Sequence, residues 1–127
     1  MSYVERHAVA ITTDASGDFT GYTPVVTGRV VQYRYVPDGT VPLDTGADLD
    51  VTGEDSGVVI ANQDNIGTSA FTKAPRQATH DEAGAASLYA AAGEPVEDYL
   101  FIAKERLKIV IAQGGASKKG TLYIWVA

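Results

Sequence analysis

The run His80-Asp81-Glu82 sets an imidazole beside two carboxylates, a combination able to accept and return a proton. The chain holds only 2 histidines, and adjacent residues on a loop seldom point into one site. No serine stands in a nucleophile-elbow pattern, and there is no cysteine to serve as a thiolate. His80 is therefore expected to order its own loop. The glycines form no phosphate-binding pattern, because none follows a strand and opens a helix. The expectation is a protein without enzymatic activity, catalytic residues or cofactor.

A second cluster is acidic. Asp48-x-Asp50-x-Thr52-Gly53 opens like an EF-hand calcium loop. The twelfth position is then Val59, where a bidentate Glu is needed, and the alternation of Leu49 and Val51 argues for a strand. A calcium site of another kind would draw on Asp44, Asp48, Asp50, Glu54 and Asp55. A solvated strand face is the simpler expectation, and no metal ligand is assigned. Tyr33, Tyr35, Tyr123 and Trp125 form the third group. Aromatic rings on a sheet face can stack sugars or anchor a protein interface, or they can pack between two sheets.

The elements that carry these residues read as strands. Leu107–Gln113 and Thr121–Val126 are rich in β-branched and aromatic residues and flank a Gly/Ser/Lys turn, which predicts a hairpin. Leu107, Ile109 and Ile111, with Leu122, Ile124 and Val126, form its core faces, so Tyr123 and Trp125 fall outside beside Val110. Upstream, strands are expected at Arg6–Thr13, Asp18–Thr23 and Val25–Val36, with a bulge or close backbone approach at Gly28. In Val25–Val36 the alternation puts Val31, Tyr33 and Tyr35 on one face, and Val30, Gln32, Arg34 and Val36 on the other. Pro37–Ala47 is loop. Asp48–Thr52 and Val58–Asn62 pair across Gly53–Gly57, and Ala70–Thr72 is an edge strand. Thr79–Gly93 predicts a long ordered loop or a short helix, with Thr79 and Glu82 spaced as a capping box. Tyr99–Ala103 is a buried strand.

About seven or eight short strands with regular turns predict an all-β chain, a single-domain β-sandwich over residues 1–127. Jelly-roll and immunoglobulin-like connectivity both fit. Residues 1–5 read as an N-terminal arm.

Composition narrows the partners. The net charge is −6, and residues 1–72 carry 3 basic and 10 acidic side chains against 7 and 6 in residues 73–127. Such a chain predicts no direct nucleic-acid binding. The absence of cysteine excludes disulfides. No secretory signal and no apolar run of spanning length are read, so no membrane partner is expected.

The segments THDEAGAASLYAAAG, ERLKIVIAQGG, KGTLYIWV and ITTDASGDFTGYTPVVTGRVVQYRYV resemble those of small virion structural proteins of tailed bacteriophages. The resemblance implies a capsid decoration (cement) protein, assembled in the host bacterial cytoplasm and carried on the capsid surface. Its partners would be the major capsid protein or other virion proteins, and a homo-oligomer, dimer or trimer, would follow from the symmetry of the shell. Contacts are assigned to Tyr3, Arg76, His80, Tyr89 and Trp125. Two alternatives stand beside this reading. One is a head–tail connector or tail component; the other is a carbohydrate- or receptor-binding sandwich.

Overall fold

A computed structural model describes residues 4–127. Ten strands follow one another: β1 (Glu5–Thr12), β2 (Phe19–Tyr22), β3 (Val26–Pro37), β4 (Asp48–Gly53), β5 (Val59–Gln63), β6 (Phe71–Lys73), β7 (Arg76–Ala78), β8 (Glu97–Glu105), β9 (Leu107–Ala112) and β10 (Lys119–Val126). The larger sheet has the order β1-β10-β3-β8-β7, with β6 also paired to β3. The smaller sheet has the order β2-β9-β4-β5. The all-β sandwich expected from the alternation is present, with more strands than the seven or eight expected. The extra ones are the short β6 and β7.

With β6 and β7 set aside, β1 pairs with β10, β2 with β9, β3 with β8 and β4 with β5. The first strand thus meets the last, and the two middle strands meet each other. This is one antiparallel ribbon rolled into two sheets, the jelly-roll arrangement. Of the two connectivities open to the sequence, the structure has this one.

The rolled ribbon overturns the predicted C-terminal hairpin. β9 lies in the smaller sheet and β10 in the larger, so they face each other across the core. Gln113, Gly115 and Ser117 all take left-handed backbone, which lifts the chain out of the turn geometry and over the end of the sandwich. Thr13 fastens this arch, with its buried hydroxyl donating to Gly115 O and accepting from Lys118 N. The facing of the side chains is as read: Leu107, Ile109, Ile111, Leu122, Ile124 and Val126 are buried together. Each such aliphatic side chain contributes ~1.5–3 kcal/mol by leaving water.

A bulge changes the reading of β3. Trp125 pairs with Gln32 and Val126 with Val30, leaving Val31 without a counterpart on β10. The extra residue flips the alternation, so Val30, Tyr33 and Tyr35 are all buried and Val31 is not in the core. Strict period-2 counting had put Val30 outside. Phe71, on β6, packs on Tyr33 edge-on and on Tyr35 at a tilt, closing one side of the core.

No helix forms at 79–93. Ser87 N and Thr79 O, Thr79 N and Val96 O, and Val96 N and Ser87 O bond as three short legs of a ribbon that prolongs β7 and β8. Thr79 Oγ1 donates to Val96 O, and the carboxylate of Asp81 takes up the N–H groups of Ala83 and Ala85. The capping-box spacing is thus spent on a turn. Glu5 already belongs to β1, which shortens the expected arm.

Candidate interaction face

The inner faces of both sheets are occupied by aliphatic and Tyr side chains. Chemistry is left to the outer faces and the loops. On the larger sheet, cross-strand pairing fixes which residues share the outer face. Arg6 pairs with Trp125, and Trp125 with Gln32. Ala8 pairs with Tyr123, Tyr123 with Arg34, and Arg34 with Thr72. Farther along, Arg29 pairs with Phe101, and Tyr99 with Arg76. Four of the chain's arginines, all but Arg106, therefore stand on one face among Trp125, Tyr123, Tyr99 and Phe101. Strand alternation adds one carboxylate, Glu97.

The rings and guanidiniums touch. Arg6 lies over the Tyr123 ring, 5.0 Å from its centroid. Arg76 and Arg29 both lie over the Tyr99 ring, at 4.0 and 5.2 Å. Tyr123 and Trp125 are neighbours with centroids 6.2 Å apart and planes 37° from parallel. Each exposed cation–π contact is worth about 0.5–1 kcal/mol and keeps the guanidinium over its ring. Arg34 Nη1 donates to Thr72 Oγ1, and Arg76 Nη1 donates to Pro75 O. Phe101 is 58% exposed, a large apolar ring open to solvent where β8 runs past the end of β7.

Beyond Tyr123 the side chains shrink to Ala10, Thr121, Val36 and Gly120. They leave an open depression of about 450 Å³ bordered by Asp38 and Lys119. Asp38 is committed locally: its Oδ2 accepts from the N–H groups of Thr40 and Val41, which holds its pKa below the ordinary aspartate range.

The residues singled out in the sequence fare differently. Trp125 and Arg76 both lie on this face, Trp125 on β10 and Arg76 on the edge strand β7. His80 and Tyr89 lie on the 79–96 ribbon, where Tyr89 is 76% exposed. Tyr3 lies outside the described residues. Tyr33 and Tyr35 are core residues, not surface anchors. Gln63 Nε2 donates to the Tyr33 hydroxyl, and the Tyr35 hydroxyl donates to Gly67 O. Burial raises both phenol pKa values, that of Tyr35 to about 12.

The acidic candidates do not converge. Among the described residues no three His, Asp or Glu side chains gather as a metal site would require. Asp48 accepts from Asn65 N, and Glu54 pairs with Arg106 at 2.6 Å. The most committed carboxylate is one the sequence did not flag. Glu105, buried at the end of β8, accepts from Asp55 N, Ser56 N and Ser56 Oγ. The backbone hydrogen bond from Ser56 is the chief cause of its lowered pKa. It pins the β4–β5 turn and is structural.

No protein-family model matches this chain, and no curated protein matches it. Among solved structures it is similar to the crystal structure of FLHE, covering 98% of both chains at a TM-score of 0.40 and 11% identity. A likeness that low carries no argument about function. The bacteriophage resemblance of the sequence draws no support from these comparisons.

Except for Arg76, the arginines of this face were out of reach of sequence reading. Arg6, Arg29, Arg34 and Arg76 are scattered along the chain, and only the order β1-β10-β3-β8-β7 assembles them. The parity of Trp125 was the one usable signal.

Proposed function

We propose that this chain is a non-enzymatic virion structural protein that docks onto an assembled capsid through the outer face of its larger sheet. On this reading it is a decoration (cement) protein whose partner is the major capsid protein. The observation that carries the docking role is the set of four arginines interleaved with Trp125, Tyr123, Tyr99 and Phe101. Trp, Tyr and Arg dominate the residues that hold protein interfaces together, and exposed Phe101 beside them enlarges the apolar part of the patch. The jelly-roll is shared by viral capsid and lectin domains, which supports the virion role by analogy of fold alone. Repetition over a symmetric shell would convert a modest single-site affinity into firm attachment.

Sugar stacking is the weaker reading of the same face. It needs open ring faces, and guanidiniums lie over Tyr123 and Tyr99.

The test is the copy number of the chain in purified particles, by quantitative mass spectrometry against the major capsid protein. Hundreds of copies are expected. A dozen or fewer would mean a connector or tail component, and none would overturn the virion reading. Particle binding by a Trp125→Ala/Phe101→Ala double variant tests the face itself. Binding equal to the parent protein would overturn the docking assignment.

A further inference from the structure

The outer face of the larger sheet has an unusual charge for its chain. The protein carries 16 acidic and 10 basic side chains, yet this face holds four arginines and, by alternation, one carboxylate. Arg6, Arg34 and Arg76 form no ion pair among the described residues. The ion pairs found there are Glu5 with His7 and Glu54 with Arg106. In an acidic protein, intramolecular partners for arginine are plentiful. Three arginines set on one face without one leave carboxylate-binding capacity unused.

Their arrangement has a direction. Arg6, Trp125 and Gln32 are in register across β1, β10 and β3, and Tyr99 and Arg76 across β8 and β7; Arg76 Nη1 reaches toward the carbonyl of Val31, the neighbour of Gln32, at 3.5 Å, which joins the two sets into one row. Four strand spacings separate the ends of the row, or roughly 19 Å. Arg34 and Arg29 flank its middle on β3. An extended peptide advances about 3.3 Å per residue, so roughly six or seven residues would span the row. Carboxylates about three residues apart would then meet Arg6, Arg34 and Arg76 in turn.

The stacking selects among anions. Arg6 and Arg76 lie over rings, and a guanidinium held there still presents N–H groups at its edge for a carboxylate, beside the one Nη1 of Arg76 that already donates to Pro75 O. The same stacking covers ring faces that bases of a single strand would need. Phe101 and Trp125 supply apolar area between the arginines, which suits a polypeptide.

We propose that the occupant of this face is an extended acidic segment of a partner protein, lying across the strands with its carboxylates on Arg6, Arg34 and Arg76. This rests on the reading of the face as a docking surface, and it adds the chemistry of what docks.

The test uses fluorescein-labelled decaglutamate, with a labelled ten-residue oligothymidylate of single-stranded DNA as comparison. Binding is read by fluorescence anisotropy at low and high salt. Decaglutamate is expected to bind at low salt and to weaken as salt is raised. An Arg6→Gln/Arg34→Gln/Arg76→Gln variant should lose at least tenfold in affinity while melting as the parent does. The corresponding Lys variant, which keeps charge and loses the planar fork, should lose several-fold. Oligothymidylate binding as tightly as decaglutamate would overturn the proposal in favour of nucleic acid. Absence of decaglutamate binding would overturn it too. So would concentration-dependent self-association abolished by the same substitutions, since the occupant would then be a second copy. If Trp125→Ala/Phe101→Ala abolishes particle binding and the Arg→Gln triple variant binds as before, this inference fails and the docking surface stands. If both bind as before, the docking surface itself fails.

Discussion

Gly28 stands against the carbonyl of Ala127, with no room between them for a Cβ. Its φ of 140° lies where other residues are strained. The approach is held by Arg29, whose N–H donates to Ala127 O at 2.7 Å and whose carbonyl accepts from Ala127 N at 2.8 Å. Gly28→Ala must therefore both strain β3 and push the end of β10 away. The expected cost is about 1–3 kcal/mol, seen as a lower urea midpoint with unchanged m-value. A midpoint equal to the parent's would show that the contact yields freely.

Glu105 sets an acid limit. Its pKa lies below the ordinary glutamate range in the folded protein, so the folded state holds its proton less tightly than the unfolded one. The stability it brings is complete above the unfolded pKa and is lost as pH falls toward the folded value. Glu105→Gln should flatten the acid limb of a stability–pH curve while weakening the protein at neutral pH. Asp38, also lowered, leaves some of that limb in place. Urea midpoints measured from pH 2 to 7 on both proteins check it.

Tyr35 sets the alkaline limit by the opposite sign. Its pKa rises from 10 to about 12 on folding. The neutral phenol is favoured in the core, so this contribution is whole below pH 10 and disappears as pH rises through the folded value. Tyr35→Phe should abolish much of that alkaline loss. It should also cost roughly 0.5–1.5 kcal/mol at neutral pH, because Gly67 O loses its donor. Circular dichroism between pH 8 and 12.5 (~) distinguishes the two proteins.

Core and face residues should separate stability from binding. Ile109 is fully buried between the sheets, and Ile109→Ala should cost about 2–5 kcal/mol. Trp125 is only half-buried on the outer face, so Trp125→Ala should shift the melt far less and weaken particle binding far more. Equal effects on both readouts in the two variants would show that the outer face serves the fold alone.

The strands were legible because their aliphatic residues alternate cleanly: Leu49 and Val51, Ile109 and Ile111, Leu122 and Ile124 all face inward as counted. What failed was of two kinds. The bulge at Val31 carries no local mark, since Val is at home anywhere in a strand, and one unpaired residue sufficed to turn Val30 inward. The pairing of β9 and β10 failed because a short turn between two strands looks alike whether it closes a hairpin or arches between sheets. Only non-local partners decide, and those of β9 are β2 and β4. The candidate face was legible only in Trp125, Tyr123 and Arg76, for the same reason.

The rolled ribbon also fixes when each part can form. Val51 can find Ala61 as soon as both are made, but Glu5 must find Val126. At about 5–20 residues per second, β1 leaves the ribosome some 5–25 s (~) before β10 exists. Until then its backbone groups have no β10 to meet, and β3 lacks one of its flanks. Assembly therefore proceeds from the middle of the chain outward, and the last event is the insertion of β10 between β1 and β3. That same event brings Trp125 and Tyr123 into line with Arg6 and Arg34, so the arginine–aromatic outer face comes into being only when the molecule is finished.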